Sequence, residues 1–598
     1  MTFSLRFFPD RLSAMDKNEV AAVLGQIGIL LELKGENPFK TRAYLTAVRV
    51  LESLEGSLEE LVAAKRLGEL KGFGEALQDK VTILVTTGRL PYYEELKASL
   101  PPGLPALLEI QGLGPKKVKR LFDELGVDSV ETLEAACKEN RIAGLEGFGE
   151  KSQSKILEAI AFKRQFASRH RLIDALIQAD PILEFLRGHP HVVRCSTAGS
   201  LRRWKEVIGD IDFLVSSREP LRVIEDFVSQ LGVRSILVKG DTKAAVILGE
   251  GIQADLRVVT DSEYPFALAY FTGSKEHNIV MRQRAISRGL RLNEYGLFRS
   301  NEETRDPALR VPCYEERDIF EALGMAFVPP ELREDQGEFS AAEAGSLPRL
   351  IEWTELRGSL HNHSNWSDGR DSLETIAAQA HELGLDYWAI TDHSRASFQA
   401  NGLDAVRLAN QIQAIQKINE SYAAEGSDFR LLTGSEVDIL KEGLDFSDEI
   451  LAGLDVVVAS LHVPSGDGAE NTRRLIRAAE NPHVHMLGHL TGRLLLERDA
   501  YKMDIDSVLD ACAATGTWVE LNANPYRFDL DWRVWRRARD KGVKCVINCD
   551  AHRLEHFDFL RLGTGIARKG WLRKGDVVNT RNLAELRSSL ATKRSRPS

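Results

Sequence analysis

The sequence predicts a multidomain α+β chain, with helical modules first, a mixed α/β middle and a β/α barrel last. Three observations predict it. At roughly 100–200 residues per domain, 598 residues call for several domains. In residues 20–33 and 43–54 apolar positions recur at three and four spacing, the period of amphipathic helices, and short helices of this kind run to about residue 165. From about Trp353 onward, β-rich runs such as Tyr387-Trp388-Ala389-Ile390, Val456-Val457-Val458-Ala459 and Trp518-Val519-Glu520-Leu521 alternate with helical patterns. Such alternation argues for parallel strands, and a barrel is their economical closed form.

Composition narrows the function classes. Apolar residues make up 43% and charged residues 28%, a globular balance that excludes wholesale disorder. No apolar run approaches the ~18 residues of a membrane span, and no secretory signal opens the chain, so the expected setting is cytoplasmic, without membrane contact. Six scattered cysteines without a C-x-x-C pair exclude a disulfide framework and a thiolate zinc knuckle. A formal net charge of −10 speaks against nucleic acid at first sight. Histidine is uneven: four of fourteen stand at 170, 189, 191 and 277, and the rest lie between 361 and 556. The C-terminal part therefore does chemistry that the N-terminal part does not.

Near the N-terminus one pattern, apolar-x-Gly-apolar-Gly, occurs three times. Its glycines are Gly72 and Gly74, Gly112 and Gly114, and Gly147 and Gly149. Two glycines around an apolar residue make a tight hairpin that aims backbone N–H groups outward at a helix N-terminus, where a phosphate is accepted without side-chain charge. This is the helix–hairpin–helix pattern of DNA-binding proteins. A single copy would read as a plain helix connection; three copies read as phosphate grips. Residues 1–170 are charge-neutral, which suits grip through amides.

In the middle, Gly199-Ser200-Leu201-Arg202-Arg203 is followed by Gly209-Asp210-Ile211-Asp212-Phe213. Residues i and i+2 of a strand share a face, so Asp210 and Asp212 point together, and Asp255 lies on a neighbouring strand. Like charges held this close call for a cation. Three such carboxylates can hold two divalent ions, Mg²⁺ or Mn²⁺, for attack of a 3′-hydroxyl with pyrophosphate leaving. Asp255 is the expected proton acceptor.

With these residues the chain resembles a bacterial family X DNA polymerase. Gly199, Ser200, Arg202, Arg203, Gly209, Asp210 and Asp212 match the family's Gly-Ser-x-Arg-Arg…Gly-Asp-x-Asp pattern, and residues 270–274 match its Tyr-Phe-Thr-Gly-Ser. The resemblance implies a nucleotidyltransferase-type palm with a thumb, acting on gapped or nicked DNA with dNTPs as a monomer. It implies that Ser200, Arg203 and Gly209 hold the triphosphate and that Tyr270 and Phe271 crowd the sugar 2′ position. Gly273 and Ser274 belong to the same nucleotide loop. Asn278 and Arg282 would sense the minor-groove edge, and Glu294-Tyr295 would be the closing switch. Lys80 falls where some members carry a Schiff-base lysine for 5′-deoxyribose-phosphate removal, a solvated helix lysine being the alternative. A monovalent cation at the hairpins is a further expectation. Trp204 departs from the small residue usual after the two arginines.

The C-terminal histidines fall mostly at strand ends, where barrel active sites are built. His361-Asn362-His363 puts two rings on one side, and Asp368, His393, Glu436, His462, His489, Asp550 and His552 follow at later strand ends. Imidazole with carboxylate suits Zn²⁺ or Mn²⁺. The arrangement resembles the PHP domain, which implies a distorted (β/α)7 barrel with a trinuclear site that in family X relatives acts as a 3′–5′ exonuclease. All nine ligands of that site are matched, although Leu490 and Val463-Pro464 depart from the usual loops. His381, His483, His485 and His556 read as structural.

The resemblance divides the chain into a possible extension 1–14, a helical DNA-binding domain 15–95, a fingers-like domain 96–168, a palm 169–262 and a thumb 263–327. A linker 328–352, the PHP domain 353–577 and a C-terminal helix and tail 578–598 complete it. The expected function is gap-filling DNA repair synthesis with a PHP exonuclease. The alternative is mainly a DNA end-processing nuclease (exonuclease, AP endonuclease or 3′-phosphatase) with weak polymerase activity. A small-molecule nucleotidyltransferase would not need three hairpins, and an inert metal scaffold would not need nine ligands.

Overall fold

The computed structural model describes residues 15, 17–52, 54, 57–110, 112–165, 168–249, 251–299 and 306–594. The expected extension 1–14 and the last four residues lie outside them. The chain divides into two compact units at Ala167 and Ser168.

The described part of the N-terminal unit is helical throughout. Val20, Leu24, Ile27 and Leu31 form the buried stripe of helix Lys17–Lys34 and share a core with Ala47 and Leu51 of helix Pro38–Glu52. The three glycine repeats fold alike. In each, the apolar residue between the glycines donates its N–H to the apolar carbonyl three back: Phe73 to Leu70 (3.1 Å), Leu113 to Ile110 (3.0 Å) and Phe148 to Leu145 (3.0 Å). The first glycine of each turn has a left-handed φ, +87°, +90° and +82° at Gly72, Gly112 and Gly147. A Cβ is strained there, so the turn requires glycine. The second glycine precedes a helix: Glu75–Thr87, Pro115–Leu125 or Glu150–Gln165.

The second unit begins with a five-stranded mixed sheet. Its strand order is Val192–Thr197, Asp210–Ser217, Gln253–Val259, Lys243–Leu248 and Val233–Lys239. In Gln253–Val259, Ala254, Leu256 and Val258 are buried while Gln253, Asp255 and Arg257 take the other face. Ile211, Phe213 and Val215 join Phe227 and Leu172 in one core layer, and Leu214 meets Tyr264, Ala267 and Leu268 on the opposite face. Helices Tyr264–Thr272, Lys275–Ser287 and Glu316–Ala322 follow. Phe266, Met281, Leu297 and Phe320 form their core, together with Leu332, Phe339 and Leu350. Residues 328–352 thus connect the thumb region to the barrel as a packed segment rather than a free tether. The charges it buries have partners: Arg333 pairs with Glu316, Glu334 with Arg203 and Lys569, and Glu338 bonds to His277.

Seven parallel strands follow in consecutive order, Gly358–Ser359, Tyr387–Ile390, Arg430–Asp438, Val456–Ser460, Met486–Leu487, Trp518–Asn522 and Cys545–Asn548. A bridge between Asn362 and Ala551 links the first strand's end to the last, which nearly closes the barrel. Ala389, Leu432, Val458, Met486, Trp518 and Val546 fill its interior, and Leu586 and Leu590 of helix Leu583–Arg594 join that cluster. The expected (β/α)7 architecture is therefore present, distorted where the short first and fifth strands stand. Among the described residues no helix is long and apolar enough to cross a membrane.

Candidate functional site

Strand pairing sets the first site. Asp212 and Asp255 are direct partners on neighbouring parallel strands, and Asp210 stands two residues before Asp212 on the same face. Asp255 is held by Gln253 Nε2 at 2.8 Å and by Lys243 Nζ at 3.2 Å. Burial, Asp210 and Asp255 together push the Asp212 carboxyl up to about 7. Burial and Asp255 raise Asp210 as well. Carboxylates so crowded are fully ionised only beside a compensating cation, which is the environment a divalent ion supplies. Gly199, at φ +57°, lets Asp212 approach: a Cβ there would collide with its carboxylate.

Asp212, Asp255, Lys243, Arg257 and Phe271 line one cavity of ≈ 70 Å³. Tyr270 and Phe271 meet edge to face, with ring centroids 5.3 Å apart. Asn278 Nδ2 donates to the Tyr270 and Gly273 carbonyls at 2.7 and 3.2 Å, so it braces residues 270–273. Ser274 caps helix Lys275–Ser287 by accepting from His277 N. Arg282 lines a crevice with Tyr270 and Asn278. Tyr295 lies in the turn between strands Arg291–Asn293 and Gly296–Phe298. Ser200 lies in the short helix Gly199–Arg202, and Gly209 immediately precedes the Asp210 strand.

Arg203, the expected triphosphate contact, has partners within the chain. It is 9% exposed. Its guanidinium donates to Glu334 at 3.0 Å and to the Thr272 carbonyl at 2.8 Å. Trp204 packs against Gly565, where a Cβ would run into the indole. Its bulk is explained by this contact with the barrel. Lys80 donates to Ala76 of its own helix at 3.1 Å and lies over the Tyr92 ring. The hairpin carbonyls of Phe73 and Gly112 accept from Gln78 Nε2 at 2.8 Å and Lys117 Nζ at 3.1 Å.

At the barrel's C-terminal mouth the nine expected ligands converge. Glu436 is central. Its two oxygens lie 2.9 Å from His393 Nδ1, 2.9 Å from His489 Nε2, 3.3 Å from His462 Nε2 and 3.4 Å from His361 Nε2. Asp550 is 3.0 Å from His363 Nε2. Asp368 is 3.4 Å from His552 Nε2 and 3.6 Å from His393 Nε2. Three subsets have metal-ligand spacing: His363, Asp368, His393 and His552; His361, His363 and Glu436; His393, Glu436 and His462. His361 Nε2, His363 Nδ1 and His393 Nδ1 are buried without a hydrogen-bond partner. Orphaned imidazole nitrogens facing carboxylates are a donor set that fits metal ions. Burial opposes charge on Glu436, yet His361, His393 and His462 hold it well below the usual carboxylate range.

The barrel explains this convergence. His393, Glu436, His462 and Asp550 stand four residues beyond Ala389, Leu432, Val458 and Val546, so they continue the inward parity of their strands. Leu490 is buried in the core, and the departure there leaves His489 on Glu436. Val463, the other departure, is exposed.

Sequence reasoning missed two carboxylates. Glu520, fully buried, lies 2.7 Å from His361 Nδ1 and accepts from the His489 N–H and Asn548 Nδ2. Asp438 lies 2.8 Å from His462 Nδ1. Both orient a ligand ring from its far nitrogen. The available signal was parity: Asp438 is two residues from Glu436, and Glu520 two from Trp518. Asp392, beside His393, accepts from Ser364 N and Oγ and from Ser367 and Gln411, and so holds the loop that carries Asp368.

A nucleotidyltransferase-type carboxylate trio on a mixed sheet and a metal-dependent phosphoesterase-type barrel thus share one chain. Family models and a full-length relative agree. A helix-hairpin-helix domain matches residues 15–90, a SAM-like helix-hairpin-helix tandem 104–161, a DNA polymerase beta thumb 267–334 and a PHP domain 359–524. A DNA polymerase/3′-5′ exonuclease PolX of Bacillus subtilis is 39% identical over 581 residues, 96% of this chain and 99% of that one. A probable phosphatase of Caldanaerobacter subterraneus is 30% identical over 212 residues, 33% of this chain and 77% of the other. A polymerase beta of Leishmania infantum, solved as a ternary P/T complex, is 24% identical at a TM-score of 0.26, covering 40% of this chain and 99% of that one. The chain belongs to the PolX family, the family X DNA polymerases that carry a PHP domain.

Proposed function

We propose that this chain is a gap-filling DNA polymerase with a 3′–5′ exonuclease in its PHP barrel. The observation that carries the reading is full-length likeness to PolX joined to two separate acidic centres in one unit. At the first, Asp210, Asp212 and Asp255 would hold Mg²⁺ or Mn²⁺. Bound there, such ions supply Lewis acidity and neutralise developing phosphate charge. Asp255 takes the proton of the primer 3′-hydroxyl as its oxygen attacks the α-phosphorus and pyrophosphate leaves. Ser200, Gly209 and a released Arg203 orient the triphosphate. Tyr270 and Phe271 close on the sugar, which favours deoxyribose. Gly74, Gly114 and Gly149 offer helix N-termini to DNA phosphates.

At the second, the nine ligands would hold three ions, Mn²⁺ or Zn²⁺. Glu520 and Asp438 keep His361 and His462 in the tautomer that leaves Nε2 free for a metal. The gapped-duplex test uses Mn²⁺, labelled primer and three proteins. Asp210→Ala/Asp212→Ala loses extension and keeps degradation, while His361→Ala/His363→Ala does the reverse. If both variants keep both activities, the two-centre reading is wrong.

A further inference from the structure

Residues 203–206, between the two polymerase signatures, are docked on the barrel. Trp204, at φ +55°, packs on Gly565 of helix Phe559–Lys569. Glu206 accepts from Trp532 Nε1 at 2.7 Å and Arg533 Nη1 at 3.0 Å. The tightest knot lies at Glu334. One of its oxygens accepts from Arg203 Nε at 3.0 Å and from Lys569 Nζ at 2.6 Å. Lys569 also donates to the carbonyls of Arg203 at 3.0 Å and Glu331 at 3.3 Å, and it is fully buried. Two cations therefore share one nearly buried carboxylate. One belongs to the palm signature and the other to the barrel.

Resting on the reading of Arg203 as a triphosphate contact, we propose that Lys569 is a positioning residue for the nucleotide site. A triphosphate must compete with Glu334 for the Arg203 guanidinium. A buried carboxylate left without a partner is costly, so Glu334 gives up Arg203 readily only because Lys569 remains on it. Without Lys569, Arg203 is the carboxylate's one cationic partner among these contacts and stays on it. Without the Glu334 charge, Arg203 keeps only the neutral Thr272 carbonyl, a weaker competitor than a carboxylate. The barrel thus sets how easily the palm captures a nucleotide, although Lys569 touches neither the nucleotide nor the carboxylate trio.

The test measures dNTP KM and kcat for single-nucleotide gap filling by full-length protein. Lys569→Met is expected to raise KM about fivefold or more, the lower end of coupling between sites, with kcat changed less than about twofold. Glu334→Gln is expected to lower KM. The double variant Glu334→Gln/Lys569→Met should return KM to within about twofold of wild type, because cation and competitor vanish together. A merely structural contact would shift both single variants in the same direction, and that result overturns the proposal. Should Lys569→Met not fold, Glu334→Gln decides: a lower KM supports the proposal and a higher one overturns it. Arg203→Ala separates the two layers. If it leaves KM unchanged, the reading of Arg203 falls and takes the proposal with it. If it raises KM while Lys569→Met does not, the proposal alone fails.

Discussion

Glu520 sits in the barrel wall with no solvent contact, and its partners are the His361 ring, the backbone N–H of His489 and the amides of Asn522 and Asn548. Removing its charge frees the His361 ring to rotate and to change tautomer, the kind of loss that costs metal sites about 10–100-fold in affinity or activity. Glu520→Gln is therefore expected to lower 3′–5′ degradation by about that factor, with primer extension by the same preparation unchanged. Equal degradation by variant and wild type would remove Glu520 from the site. The residue also marks a limit of reading from sequence. Histidine occurs 14 times in the chain, so ten in one third of it stand out; Glu520 is one of 88 acidic residues and belongs to no motif. Its role comes from burial and from strand parity, and both depend on the closed barrel. Arg203 shows the converse: its motif was legible, but the Glu334 that engages it lies 131 residues away.

At the scale of the element, the glycine hairpins were legible because turn chemistry is local. The left-handed φ at Gly72, Gly112 and Gly147 is what the first glycine of the pattern demands. The second glycine has a different reason. An added Cβ at Gly74, Gly114 or Gly149 meets nothing within 4 Å, so the fold does not need glycine there; a backbone approaching a ligand closely does. Gly112→Ala is expected to cost about 1–2 kcal/mol of stability, since alanine must then adopt a left-handed φ. Gly114→Ala should cost less than about 1 kcal/mol, an alanine at a helix cap, yet weaken binding to gapped duplex. Its salt dependence should keep the wild-type slope, because an amide contact releases no lysine-neutralised counterion. Lys117→Ala should instead flatten log K against log salt by roughly 0.9 if that lysine neutralises one phosphate. A Gly114→Ala protein that binds like wild type would remove the second hairpin from the DNA contact. The hairpins also dispose of the charge objection, since amides at helix ends need no net positive surface.

For the whole molecule, the barrel was legible in its alternating pattern, and the packing of 328–352 was not. A polar, acidic stretch reads as a tether unless its charges have partners, and the partners here come from three other regions. Glu316, on the thumb-region helix, binds Arg202 of the palm signature at 2.6 Å and Arg333 of the connecting segment at 2.6 Å. Burial alone would raise the Glu316 carboxyl, but Arg333 and Arg202 outweigh it and hold it at about 2. The folded value lies below the ordinary value of 4.5, so the stabilisation is complete above about pH 4.5 and is lost as pH falls toward 2. A shift of that size corresponds to something on the order of 3 kcal/mol. Glu316→Gln leaves Arg333 buried without its anion, so it is expected to destabilise residues 168–598 by about that amount at pH 6. Because the wild-type carboxyl protonates on acidification, the gap between the two proteins should narrow steadily from pH 5 to pH 2. Denaturant unfolding at stepped pH, followed by tryptophan fluorescence, measures that gap. A difference that stays constant down to pH 2 would mean that the Glu316 charge does not join palm, thumb and connector.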